Sequence, residues 1–99
     1  MKNLIYLKKG EIKTGFFSKR IACEFKFYED GIIARPYGWN RLFNSSDITI
    51  LKKDIRAIKD GIRVIGYNII IETNSHSYTC GFLGDKLMVK QLLEKYLPE

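Results

Sequence analysis

Asp85-Lys86-Leu87-Met88-Val89-Lys90-Gln91-Leu92-Leu93-Glu94-Lys95-Tyr96-Leu97 is the one stretch of this chain whose apolar residues recur at helical spacing. Met88, Val89, Leu92, Leu93 and Tyr96 fall on one stripe; Lys86, Lys90, Gln91, Glu94 and Lys95 fall on the wet side. Gly84 or Asp85 is placed to cap it, since an aspartate there accepts from free first-turn amides and suits the positive helix end. Pro98 stops it. Before residue 85 the apolar period is two, not 3.6. Strands closed by one terminal helix narrow the fold to a few small β-barrels and sandwiches. The helix stripe is then core, not a partner surface.

The cleanest strand is Ile21 to Tyr28, where Ile21, Cys23, Phe25 and Phe27 alternate with Glu24, Lys26 and Tyr28. Glu29-Asp30-Gly31 then supplies an Asp-Gly hairpin turn, whose central positions tolerate positive φ. Ile32 to Arg35 returns until Pro36, which cannot donate to a ladder. Upstream, Gly10 to Phe17 reads as a first strand and Ser18-Lys19-Arg20 as its turn, leaving residues 1–9 peripheral. Pro36 to Ser46 is a loop, with a short strand around Arg41 to Phe43. Ile48 to Leu51 and Ile55 to Lys59 flank Lys52-Lys53-Asp54, and Asp60-Gly61 is a second hairpin-type turn. Tyr67 to Thr73 and His76 to Phe82 form the last hairpin, with Ile69-Ile70-Ile71 covered on both faces. The expectation is one domain over 1–99, mainly β. About seven antiparallel strands curl into a barrel of two near-orthogonal sheets, and the helix over 85–97 covers one open end.

The chain has 99 residues and a formal net charge of +6. Residues 1–63 carry 14 Lys/Arg against 7 Asp/Glu, whereas residues 64–99 carry 3 against 4. A basic body suits an anionic partner or merely favours solubility. No run approaches the roughly 18 apolar residues of a membrane span. The opening Leu4-Ile5-Tyr6-Leu7 is too short for a signal core of roughly 7–15 residues. Cys23 and Cys80, both in the apolar phase of strands, read as buried free thiols in a reducing cytoplasm; pairing them would require adjacent strands.

Three stretches resemble a pleckstrin-homology-like domain of the bacterial PH or GRAM kind. They are the hairpin Cys23 to Ala34, the strand, polar corner and strand of Ile48 to Lys59, and the final hairpin Tyr67 to Phe82 with the terminal helix. The resemblance covers about residues 10–97 and rests on pattern and order. It implies a non-enzymatic binding module for a protein partner or an anionic phospholipid surface, cytoplasmic or peripheral at a membrane, with no cofactor. In lipid-binding members basic residues surround the loop after the first strand; here Lys13, Lys19 and Arg20 occupy it, with Lys26 and Arg35 on the neighbouring hairpin. The spaced Lys…Lys/Arg-x-Arg pattern of phosphoinositide binders is not present. Generic attraction to anionic lipid, on the order of 1 kcal/mol per Lys or Arg near the surface, needs only clustered charge.

The candidate site therefore joins Lys13, Lys19, Arg20, Lys26 and Arg35 into one cradle, beside a loop bearing Tyr37, Trp39, Arg41 and Phe43. Aromatics next to arginines serve interfaces, membrane surfaces and base stacking alike. The bland counterpart is a solvated strand face with the rings folded over the barrel mouth. Lys52-Lys53, in a tight corner, suit contact with lipid or phosphate but read first as ordinary turn charges, and His76 reads as a turn residue. Nothing in the chain pairs a nucleophile with a base in a recognisable context, so the reading is not an enzyme. Two other readings stand beside it. One is a nucleic-acid-binding barrel, with Tyr28, Tyr37 and Trp39 as stacking rings. The other is a homodimer formed by edge strands.

Overall fold

The computed structural model describes residues 2–14, 19–38, 46–62 and 65–97. Among these residues seven strands and one α-helix follow in order: β1 (Leu4–Thr14), β2 (Ile21–Tyr28), β3 (Gly31–Pro36), β4 (Ile48–Leu51), a 3-10 turn (Lys52–Asp54), β5 (Ile55–Gly61), β6 (Tyr67–Thr73), β7 (Ser77–Phe82) and α1 (Lys86–Glu94). Every pairing is antiparallel, and one ladder holds all seven strands in the order β4-β3-β2-β1-β7-β6-β5.

The two edges of that sheet, β4 and β5, are consecutive in the chain. Laid flat, six strand spacings would separate them by about 29 Å. The three linking residues reach about 14 Å from Leu51 to Ile55 at most. The sheet therefore curls until its edges approach at the Lys52–Asp54 corner. Among the described residues no ladder joins β4 to β5, so the sheet stays unclosed. All seven strands belong to one sheet. The eleven-residue β1 pairs with β2 on one side and β7 on the other, which makes the ladder continuous.

Several local expectations are also corrected. β1 starts at Leu4, not Gly10, so residues 4–9 pair with β2 instead of lying outside the fold. The positions facing Phe27, Phe25 and Cys23 are Tyr6, Lys8 and Gly10, so no apolar alternation marks this part of the strand. The β2–β3 connection is Glu29-Asp30, because Gly31 already pairs with Tyr28; neither Glu29 nor Asp30 takes a positive φ. Asp60-Gly61 is the end of β5, where Gly61 faces Asn68, and not a turn. The α-helix spans Lys86–Glu94, shorter than 85–97. Asp85 stands at its N-cap position in the left-handed region (φ 49°) with no side-chain cap bond. Its carboxylate instead reaches Lys8 Nζ at 3.6 Å. The short strand read around Arg41 to Phe43 lies outside the described residues.

Directly paired residues share a face, so the registers define the interior. Phe25, Phe27, Ile32, Ile12, Ile69, Ile71, Cys80 and Phe82 all point inward. Helix α1 adds Val89, Leu92 and Leu93, and Tyr96 follows just beyond its end. Full burial of each aliphatic side chain contributes about 1.5–3 kcal/mol. Met88, read as part of that stripe, is half-exposed and lies outside the core. Three contacts orient the helix: Lys8 with Asp85, Lys90 Nζ with Asp60 Oδ2 at 2.8 Å, and Tyr96 with the β2–β3 turn. It therefore runs from β1 past β5 to that turn, covering one side of the core. Cys23 and Cys80 are fully buried free thiols, as the alternation required. β1 lies between their strands, Gly10 opposite Cys23 and Ile12 opposite Cys80.

Candidate functional site

The five cations read as one cradle are spread along the outer face. Lys13 lies opposite Thr79 near the C-terminal end of β1. Lys26 lies opposite Leu7 on β1 and Ile33 on β3. Six residues of ladder separate the Lys13 and Lys26 rows, about 20 Å. Arg20 is held over the sheet by Glu11 (3.8 Å) and by its own donation to Asn68 Oδ1 (3.4 Å). Arg35 shares a row with Glu24 and Lys9, and its Nε is 3.6 Å from Asp47. Lys19 is exposed just before β2. The outer face thus alternates in sign, with Glu11, Glu24 and Asp47 set among the cations, and does not gather them.

Tyr37 projects beyond β3, with Lys9 Nζ 5.5 Å from the centre of its ring. Its N–H donates to the Ala22 carbonyl at 3.3 Å. Tyr37, Lys9, Glu11, Ala22 and Leu83 rim a shallow groove of ≈ 220 Å³. Gly10 forms part of its floor; a Cβ there would lie 2.9 Å from Phe82 Cδ1, and Gly81 offers no side chain either. Trp39, Arg41 and Phe43 lie outside the described residues.

A larger cleft, ≈ 600 Å³, opens where the two sheet edges meet. Leu51 and Ile55 line it, with Asp30, Lys52, Lys53 and Arg56 around them. The corner is held by main-chain bonds. Lys52 N–H donates to the Asp30 carbonyl at 2.9 Å, Ile55 N–H to the Lys52 carbonyl, and Asn74 N–H to the Asp54 carbonyl at 3.2 Å. These bonds leave Lys52 and Lys53 pointing to solvent. Among the described residues neither lysine meets a carboxylate at ion-pairing distance. Arg56 Nε donates to Asn74 Oδ1 at 2.5 Å, with no carboxylate partner. Asp30 is already engaged: its carboxylate accepts from the Lys2 N–H at 2.9 Å, and that bond holds its pKa below the usual value.

This corner is the site that sequence reasoning passed over. Lys52-Lys53 was visible as a charged turn. What makes it a cleft is that its flanking strands are the two sheet edges, which depends on strand order. Among the described residues no group of three metal-ligating side chains converges, and no helix is long and apolar enough to cross a membrane. His76 is exposed at the β6–β7 turn, its Nδ1 2.9 Å from Ser75 Oγ.

No protein-family model matches this chain, and no curated protein matches it. Among solved structures, the crystal structure of the C-terminal domain of an unknown protein from Leishmania infantum is similar, with a TM-score of 0.71. The match covers 98% of this chain and 86% of that one at 12% sequence identity. At that identity the likeness is one of fold alone.

Proposed function

We propose that this chain is a non-enzymatic binding module of the PH-like, GRAM-like kind, its curled sheet forming the two near-orthogonal halves of such a barrel. It holds an extended, acidic segment of a protein partner at the β4–β5 corner. The observation that carries this reading is the coincidence of three features in one cleft: two strand edges that are unpaired among the described residues, an apolar lining and cations that meet no carboxylate among those residues. An unpaired edge offers main-chain donors and acceptors that an added strand can use. Leu51 and Ile55 suit alternate apolar side chains of such a strand. Lys52, Lys53 and Arg56 favour carboxylates between them. A bare phosphate would use the cations but neither the edges nor the apolar lining.

The test uses an eight-residue dye-labelled peptide of alternating Glu and Val, followed by fluorescence anisotropy. Binding is expected to weaken with added salt. The Lys52→Glu/Lys53→Glu double variant is expected to weaken it by about tenfold or more. Unchanged affinity in that variant overturns the reading. Sizing with light scattering runs alongside: a dimer without peptide would assign the open edges to a second copy of the chain instead.

A further inference from the structure

We infer that the segment held at the β4–β5 corner has a fixed direction and a fixed order of charge: carboxylates first along its chain, then one basic residue, which Asp30 receives. This rests on the reading of the corner as a site for an extended acidic segment. It adds the direction of that segment and a residue that acidity alone does not supply.

The direction follows from the number of strands. Among the described residues one antiparallel ladder holds seven strands, with β4 first and β5 last, so these two run the same way. Pairing them directly would break the alternation with a parallel ladder, which is slightly less stable per residue. An eighth strand in the seam is antiparallel to both edges. β5 leads away from the corner, from Ile55 to Gly61. A strand antiparallel to it therefore enters beside Gly61 and reaches the corner with its C-terminal half.

The order of charge follows from the corner's own groups. The incoming chain first passes Arg56, the second residue of β5, and then Lys53 and Lys52 in the turn. Asp30 comes last, on the β4 side, where its carbonyl accepts from the Lys52 N–H and Gly31 pairs with Leu51. Arg56 is held on the other side by Asn74. The cleft thus changes sign across its width, and Asp54, the third residue of the turn, does not line it. The charge of Asp30 is intact. Its carboxylate accepts from the Lys2 main-chain N–H, a neutral donor that also keeps it ionised. Among the described residues no cation stands at ion-pairing distance from it. A carboxylate at the rim attracts a partner's Lys or Arg and repels its Glu or Asp, and the repulsion discriminates as much as the attraction.

The test uses two unlabelled eight-residue peptides with blocked ends, Glu-Val-Glu-Val-Glu-Val-Lys-Val and its reversal, Val-Lys-Val-Glu-Val-Glu-Val-Glu. They share composition and net charge and differ only in order. Each competes with the labelled Glu-Val peptide for the full chain, followed by fluorescence anisotropy. The form with lysine near its C-terminus is expected to compete about fivefold more strongly. Asp30→Asn keeps an acceptor for the Lys2 N–H and is expected to remove that preference. A residue that merely supported the turn would weaken both peptides alike and leave the preference in place. Three results overturn this inference while leaving the corner site standing: equal competition on the wild type, stronger competition by the reversed peptide, or a preference that survives in Asp30→Asn. A wild-type chain that does not bind the labelled Glu-Val peptide at all overturns the corner site, and this inference with it.

Discussion

The Tyr96 hydroxyl donates to the main-chain carbonyl of Tyr28 and lies 3.3 Å from that of Gly31. Sixty-eight residues separate Tyr96 from Tyr28, so this contact closes the fold: it fastens the end of the helix to the turn between β2 and β3. The phenol body is buried in the core while its oxygen serves two carbonyls at the turn.

Tyr96→Phe keeps the ring and removes the donor. Its expected cost is about 1–2 kcal/mol, the usual penalty when a buried acceptor loses its partner. Urea unfolding measures it as a lower midpoint at unchanged slope. A shift below about 0.3 kcal/mol would show that the bond is not a fastening.

The helix stripe gives a second contrast. Leu93 is fully buried, whereas Met88, which the helical period places on the same stripe, is half-exposed. Leu93→Ala is expected to cost about 2–5 kcal/mol. Met88→Ser is expected to stay within about 0.5 kcal/mol. Comparable losses in the two variants would mean that α1 sits in a different rotation.

Alkaline pH is expected to destabilise the fold. Burial pushes the Cys23 thiol up to about 12 from an ordinary 9.0, with Glu11 adding to the effect, and raises Cys80 as well. Burial likewise carries Tyr67 and Tyr96 up to about 12 from 10.0, helped by Asp85 and Asp30 respectively, and raises Tyr78. In each case the folded chain favours the protonated, neutral form. The associated stability is fully present below the unfolded values of 9.0 and 10.0. It is lost as pH rises through them toward about 12, because the unfolded chain releases protons first. Urea midpoints should therefore be level below pH 9 and fall above it. A level midpoint through pH 11 would contradict the burial of these groups.

What the sequence made legible was local. Ile21–Tyr28 stands where its alternation puts it, because a half-buried strand writes its own period, and Ile48–Leu51 and Tyr67–Thr73 stand where their β-rich residues put them. Residues 4–9 were not legible, since Lys8 stands in the phase that faces Phe25 while Leu7 stands in the outward one. Asp30-Gly31 carried a turn signal, yet pairing of Tyr28 with Gly31 moved the turn one residue back. The spacing of the basic residues was not legible either. Lys13 and Lys26 have the right chemistry, but only the register reveals that they stand at separate rows of the sheet. Lys52-Lys53 became a candidate only once β4 and β5 proved to be the two edges, a property of strand order and not of any window of residues.

The corner site is tested most directly by two-dimensional amide NMR of the full chain, titrated with the unlabelled alternating Glu-Val peptide. Docking between the open edges is expected to shift a contiguous set of amides in β4, the Lys52–Asp54 turn and β5, and to slow hydrogen exchange along β5. The Lys52→Glu/Lys53→Glu variant should remove both effects. Shifts that centre instead on Lys13, Arg20 and Lys26 across the outer face, with β4 and β5 unmoved, would contradict it.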